Sequence, residues 1–203
     1  MNSIGEVKLS KKQNKIAILA GAGRLPAYLA QVAREKGYQV IVIGLEGKLL
    51  PGIEKSADKV RTYRFARFGE LLGILQEEKI NQAMMAGKAD KRWLWEPGIE
   101  LDDLARSMLK NLPDRKDDTI MNLVVAKLEK RGIEILETIN LIRDWLAPEG
   151  QLGELEPDAR QWKDIEFGWK IAKEIGKLDI GQTVAVLDQA VLAVEAIEGT
   201  DLC

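Results

Sequence analysis

The sequence predicts an α/β fold: a Rossmann-like parallel sheet domain followed by an incomplete second α/β domain. Three observations carry that expectation. Short apolar runs of strand length alternate with segments of helical spacing as far as Thr138, the pattern of βαβ units whose parallel strands are covered on both faces. The first run, Ile16-Ala17-Ile18-Leu19-Ala20, stops at Gly21-Ala22-Gly23 and re-enters a helical pattern, as strand, tight loop and helix do where a phosphate is bound. Near Pro148 the texture changes. Ala147 to Pro157 holds two prolines, two glycines and few apolar residues, which reads as a linker (147–157) between a domain over 14–146 and a second begun over 158–203.

The elements follow in order. After the first strand, Ala27 to Lys36 has helical spacing at Leu29, Val32 and Ala33 and ends at Gly37, a natural C-cap. Val40 to Ile43 is a short buried strand closed by Gly44, and Arg61 to Arg64 is a third strand. Phe68 to Glu78 carries Leu71, Leu72 and Leu75 on one helical face, and Gln82 to Ala86 is a strand ending at Gly87. Leu101 to Leu112 and Asp118 to Arg131 read as helices, and Glu134 to Thr138 as a strand. Beyond the linker, Ile165 to Ile175 is helical through Ile165, Gly168, Trp169 and Ala172. Thr183 to Leu187 and Val191 to Ala196 are strands separated by Asp188-Gln189-Ala190.

Composition removes whole classes of chemistry. The 203 residues are 46% hydrophobic and 31% charged, with a formal charge of −2 and a pI near 5.5, so the basic excess that nucleic acid requires is missing. There is no histidine, and the single cysteine is Cys203. A His–Cys zinc site, a Ser–His or Cys–His nucleophile and an internal disulfide are therefore excluded. A divalent ion would have carboxylates, carbonyls and water as ligands, which points to Mg²⁺, with Mn²⁺ as the alternative. No apolar run reaches the roughly 20 residues that span a bilayer, and the polar N-terminus is no secretory signal. The expected location is the cytoplasm, with at most peripheral contact with the inner membrane. Lys8, Lys11, Lys12 and Lys15 read as a solvated basic arm.

Four places could carry chemistry. Gly21 and Gly23 precede a helix N-terminus, although a dinucleotide fingerprint would have a third glycine where this chain has Pro26. Lys88 follows the strand ending at Ala86 and could meet a phosphate beside that loop. Lys116-Asp117-Asp118 precedes a helix, where one aspartate is expected as N-cap. Glu195, Glu198 and Asp201 surround a strand end and Gly199, with the Thr200 hydroxyl among them.

Ala20-Gly21-Ala22-Gly23-Arg24-Leu25-Pro26, Ala86-Gly87-Lys88, Asp117-Asp118, Leu178-Asp179-Ile180-Gly181-Gln182 and Val194-Glu195-Ala196-Ile197-Glu198-Gly199-Thr200-Asp201 occur in that order. Together they resemble the UDP-2,3-diacylglucosamine pyrophosphatase family of lipid A synthesis, in its non-calcineurin-like form, from Lys15 onward. The resemblance implies a lipid-linked UDP-sugar as substrate, bound between two domains. It also implies Mg²⁺-dependent attack of water on a phosphorus of the pyrophosphate, giving UMP and 2,3-diacylglucosamine 1-phosphate. Carried onto this sequence, Gly21, Gly23, Arg24 and Leu25 cradle phosphate or sugar, Gly87 and Lys88 add a phosphate contact, and Gly199 and Thr200 touch substrate. Asp201, with Asp117 and Asp118, is catalytic, and Asp201 and Glu198 hold the metal. Family members continue beyond the Glu-Gly-Thr-Asp motif into a further acidic and basic segment, whereas this chain stops two residues later, so an incomplete catalytic set and impaired activity are expected, with a truncated product, a fragment and a working short form all left open. Two other readings stand beside this one: a non-catalytic nucleotide-binding module, and an NAD-dependent oxidoreductase with Glu46 as its ribose-binding acid. The oligomeric state is left open, a homodimer included.

Overall fold

The computed structural model describes residues 15–89, 99–110, 112–113 and 117–203. Five strands, β1 (Lys15–Ala20), β2 (Gln39–Leu45), β3 (Lys59–Tyr63), β4 (Gln82–Ala86) and β5 (Glu134–Ile135), form one sheet in the order β3-β2-β1-β4-β5. Every pair in it is parallel. Helices α1 (Leu25–Glu35), α2 (Phe68–Glu77), α3 (Asp103–Lys110) and α4 (Asp117–Glu129) lie between these strands in the chain. Successive strand residues point to opposite faces, and both faces are covered. Ala17, Leu19, Ile41 and Ile43 pack with Phe68, Leu71 and Leu75 of α2, Ala105 and Met108 of α3, and Leu128 of α4. Ile16, Ile18, Ala20, Val40 and Val42 pack with Leu29, Ala30 and Ala33 of α1. This is why the central strands β1, β2 and β4 read as apolar runs and not as alternations.

At the N-terminal edge of the sheet a buried carboxylate gathers three cations. Lys59 Nζ and Arg61 Nη1 donate to Glu78 Oε1 at 2.6 and 2.7 Å, and Lys15 Nζ donates to the Glu78 carbonyl at 2.6 Å. The Lys59 contact, ahead of the other partners, holds the Glu78 carboxyl below its ordinary range. Lys15 is thus tied down and is not part of a free arm; Lys8, Lys11 and Lys12 lie outside the described residues.

The chain divides into two compact units. The first holds the five-stranded sheet with α1 to α3 and α4 from Met121 onward; the second includes α5 (Ala159–Lys177) and the antiparallel hairpin β6 (Val184–Leu187) and β7 (Ala190–Val194). Within the second, Gly168 of α5 lets Val186 of β6 approach: a Cβ there would lie 3.2 Å from Val186 Cγ2. No described helix is long and apolar enough to cross a membrane.

Several boundaries differ from those expected, each for a local reason. Helix α1 starts at Leu25, two residues early, because Pro26 fits its first turn. Helix α3 starts at Asp103 because the Asp102 carboxylate caps it, accepting from the Ala105 amide at 2.7 Å. Helix α5 starts six residues before Ile165 because Asp158 and Gln161 form a capping box. Strand β5 stops at Ile135: Leu136 still donates to the Ala83 carbonyl at 2.8 Å, but Thr138–Asn140 curls into a 3₁₀ turn. Strand β7 starts at Ala190, which the hairpin turn leaves paired with Leu187. That turn is Asp188-Gln189, with φ of 52° and 57°, the left-handed pair of a type I′ turn. Its strained amides are both taken by Asp164, at 3.0 and 2.6 Å.

Candidate active site

The strand order reverses between β1 and β4, and their C-terminal ends open the crevice where open α/β sheets bind ligands. Here the two loops are stitched together. The Gly21 amide donates to the Ala86 carbonyl at 2.8 Å, and Ala22 and Lys88 exchange amide-to-carbonyl bonds of 2.8 and 2.9 Å. A Cβ on Gly21 would lie 2.4 Å from the Lys88 carbonyl oxygen. On Gly87, whose φ is +88°, it would lie 2.7 Å from the Ala22 oxygen and 2.9 Å from Pro26 Cγ. Gly21 and Gly87 are therefore glycines because two backbones touch there. Gly23 differs: its φ is +101°, it is exposed, and a Cβ would meet nothing within 4 Å. It is the glycine of the loop that stands open to a ligand.

Arg24 occupies the N-cap of α1 and makes no capping hydrogen bond with its side chain. A cation there replaces the oxygen acceptor that normally satisfies the first amides, and it sits at the positive end of the helix dipole. Lys88 adds a second cation to the same loop pair. Both side chains are exposed, and neither forms an ion pair with a described residue. An anion would relieve both misfits. Leu25, expected to touch substrate, packs its side chain against the core under α1, leaving its backbone as the group it can offer. Pro26, in place of a third glycine, is buried. Glu46 directly follows β2 and donates its amide to the Tyr63 carbonyl at 2.9 Å. The Tyr63 phenol nearby is pushed up to about 12 by burial and stays neutral.

In the second unit the loop at Leu178 to Gln182 meets the turn at Glu195 to Asp201. A Cβ on Gly181 would lie 2.2 Å from the Glu195 carbonyl oxygen. The Glu195 carboxylate, buried, accepts from the Gln182 amide at 3.1 Å and from Thr200 Oγ1 at 2.7 Å. The Thr200 bond first, then the Gln182 amide, hold its carboxyl below the ordinary range. Glu198 turns inward as well, and its Oε1 accepts the Ala196 amide at 2.9 Å. Asp201 remains exposed.

Residues 15–145 match the LpxI N-terminal domain and residues 148–203 the LpxI C-terminal domain. The chain belongs to the LpxI family. It is 31% identical over 195 residues to the UDP-2,3-diacylglucosamine pyrophosphatase LpxI of Caulobacter vibrioides, covering 92% of this chain and 66% of that protein's length. Among solved structures it is similar to a GalE-like L-threonine dehydrogenase from Cupriavidus necator, at 17% identity over 60% of this chain and 36% of the other, with a TM-score of 0.37. A partial consensus L-threonine 3-dehydrogenase gives 18% identity over 60% and 35%, with a TM-score of 0.36.

Of the residues singled out in sequence, the first unit brings together Gly21, Gly23, Arg24, Gly87 and Lys88 at one crevice. The second brings Glu195, Gly199 and Thr200 into one turn, with the Thr200 proton already committed to Glu195. Asp117 opens α4, but the side chains of Asp117 and Asp118 lie outside those described. No group of three or more acidic, thiol or imidazole side chains that could hold a metal occurs among the described residues. Glu198, expected as a ligand, spends one oxygen on its own turn. Sequence reading passed over Tyr28 and Trp145, whose rings stack with centroids 3.6 Å apart and planes 22° from parallel. Trp145 sits at the end of a 3₁₀ turn (Arg143–Trp145) with no periodicity to flag it.

Proposed function

We propose that this LpxI-family chain acts on UDP-2,3-diacylglucosamine, hydrolysing its pyrophosphate bond to UMP and 2,3-diacylglucosamine 1-phosphate on the cytoplasmic side of lipid A synthesis. The observation that carries this reading is the pair of cations without an ion-pair partner among the described residues, Arg24 and Lys88, at the start of α1, where the N-cap side chain makes no capping hydrogen bond, beside the open Gly23. A pyrophosphate is the anion they suit. Its oxygens would take the free amides at the helix start and the two cations, and Gly23 would let them approach bare backbone. As charge builds on the oxygens during phosphoryl transfer, the same groups stabilise it more than in the ground state. Asp201 is assigned the water-orienting role, with Asp117 and Asp118 as supporting carboxylates and Gly199 and Thr200 as substrate contacts. Asp201 and Glu198 are the residues that would hold magnesium, or manganese in its place, which would supply charge stabilisation at the phosphoryl oxygens.

Isothermal titration with UDP-2,3-diacylglucosamine and an assay for UMP release test the reading. Arg24→Ala and Lys88→Ala should each weaken binding about tenfold or more, the worth of a charge-assisted contact. Asp201→Asn should depress UMP release and spare binding. Tighter binding of NAD than of the UDP-sugar would instead promote the oxidoreductase reading, which Glu46 at the end of β2 favours. Binding of the UDP-sugar without any UMP release would leave a nucleotide-binding module.

A further inference from the structure

The segment that follows β5 returns to the start of α1. Leu136, Leu141 and Ile142 pack in the same cluster as Leu25 and Ala27 of the first turn of α1. This brings Trp145 onto Tyr28, whose amide bonds to the Arg24 carbonyl at 3.2 Å. Tyr28 is therefore one helical turn, about 5.4 Å along the axis, from the N-cap where the crevice cations lie. With centroids 3.6 Å apart the two rings overlap almost fully, so Tyr28 covers one face of the indole, yet Trp145 remains 57% exposed. A single exposed aromatic is unremarkable on a protein surface. A tryptophan stacked on a partner ring and still 57% exposed, one helical turn from an anion-attracting helix start, is a preorganised surface for another flat ring.

We propose that Tyr28 and Trp145 form a platform on which the base of a nucleotide stacks while its phosphate occupies the Gly23, Arg24 and Lys88 crevice. The ribose spans the one helical turn between them. Stacking serves any base, because every base presents a π face, so the platform supplies affinity and orientation and not base choice. This inference rests on the reading above in taking a nucleotide as the ligand, but it requires no hydrolysis.

The test titrates the full chain with UMP and with ribose 5-phosphate, which keeps sugar and phosphate and lacks the base. UMP is expected to bind about tenfold more tightly, the contribution of one base stacked on an aromatic ring, and to quench tryptophan fluorescence. Trp145→Leu should bring UMP to the affinity of ribose 5-phosphate. Trp145→Phe should keep UMP binding within about threefold while abolishing the quench, since a phenyl ring still stacks; this variant decides the matter should Trp145→Leu not fold. Equal affinities of UMP and ribose 5-phosphate for the unmodified chain, unchanged UMP binding in folded Trp145→Leu, or a quench that persists in Trp145→Phe would each overturn the platform. UMP release from UDP-2,3-diacylglucosamine with no effect at Trp145 sinks the platform and leaves the hydrolase; a working platform with no UMP release does the reverse.

Discussion

Replacing Gly21 by alanine asks whether the glycines of the crevice serve the fold or the ligand. The new Cβ would stand 2.4 Å from the Lys88 carbonyl oxygen and 2.7 Å from its carbon. Neither is a flexible side chain, so the loops must part. The bridge between Ala22 and Lys88 holds two hydrogen bonds, of 2.8 and 2.9 Å, and at about 0.5–1.5 kcal/mol each their loss costs about 1–3 kcal/mol. Gly23→Ala supplies the contrast. Its Cβ meets nothing, so its cost is limited to the positive φ, about 1–2 kcal/mol for one residue. Gly21→Ala should therefore lower stability in urea denaturation and also weaken UMP binding, because Lys88 moves with its loop. Gly23→Ala, where a Cβ intrudes only on ligand space, should lose UMP binding out of proportion to stability. Should Gly21→Ala match the unmodified chain in both measurements, the steric account of the loop pair is wrong.

Three further outcomes follow from the contacts described. Glu78→Gln should cost about 1–3 kcal/mol, allowing for the partly exposed cations, and should change the acid limb of stability. With its folded pKa lowered from 4.5, Glu78 contributes fully above about pH 4.5 and loses its contribution as pH falls through the lower folded value. Acid titrations by circular dichroism should thus converge for Glu78→Gln and the unmodified chain at low pH; parallel curves would refute the assignment. Gln189→Gly should stabilise the β6–β7 hairpin by about 0.5–1 kcal/mol by relieving its left-handed backbone, and Asp164→Ala should destabilise it, both read by hydrogen exchange at Val186 and Val191. Thr200→Val should raise the Glu195 pKa and free the turn at Gly199, read by carboxyl chemical shifts in an NMR pH titration; an unshifted Glu195 would separate the two residues.

The sheet was legible because burial on both faces leaves a plain mark in the sequence. Gln82 to Ala86 was placed to the residue, and the parallel order was implied by helices between strands. Boundaries set by single polar contacts were less visible, although Asp158 and Gln161 carry the spacing of a capping box and could have placed the start of α5. The hairpin was legible, with Asp188-Gln189-Ala190 between its strands, but the two-residue type I′ form of its turn was not. Asp-Gln lacks the glycine that marks type I′ turns, and it is held by Asp164, distant in sequence. The acidic string ending at Asp201 was legible as a cluster but not as a division of labour. Glu195 and Glu198 face inward because backbone amides and Thr200 need acceptors there. Sequence shows which carboxylates are near one another along the chain; only folding shows which are already spent.

The same distinction governs the glycine motif. In a dinucleotide fingerprint one glycine makes the turn, one admits the ligand and a third lets helix and strand pack closely. Here the close packing is instead between the first turn of α1 and the loop after β4. Pro26 Cγ lies 2.9 Å from where a Gly87 Cβ would be, and Gly21 sits against Lys88. The contact that a third glycine would have given to a helix and its own strand has been moved to a neighbouring strand. That move has an electrostatic consequence, because the loop drawn in carries Lys88. A proline where the fingerprint wants glycine thus accompanies the delivery of a second cation to the start of α1. Charge at that position suits an anion held by its phosphates, and the fold alone would not have decided it.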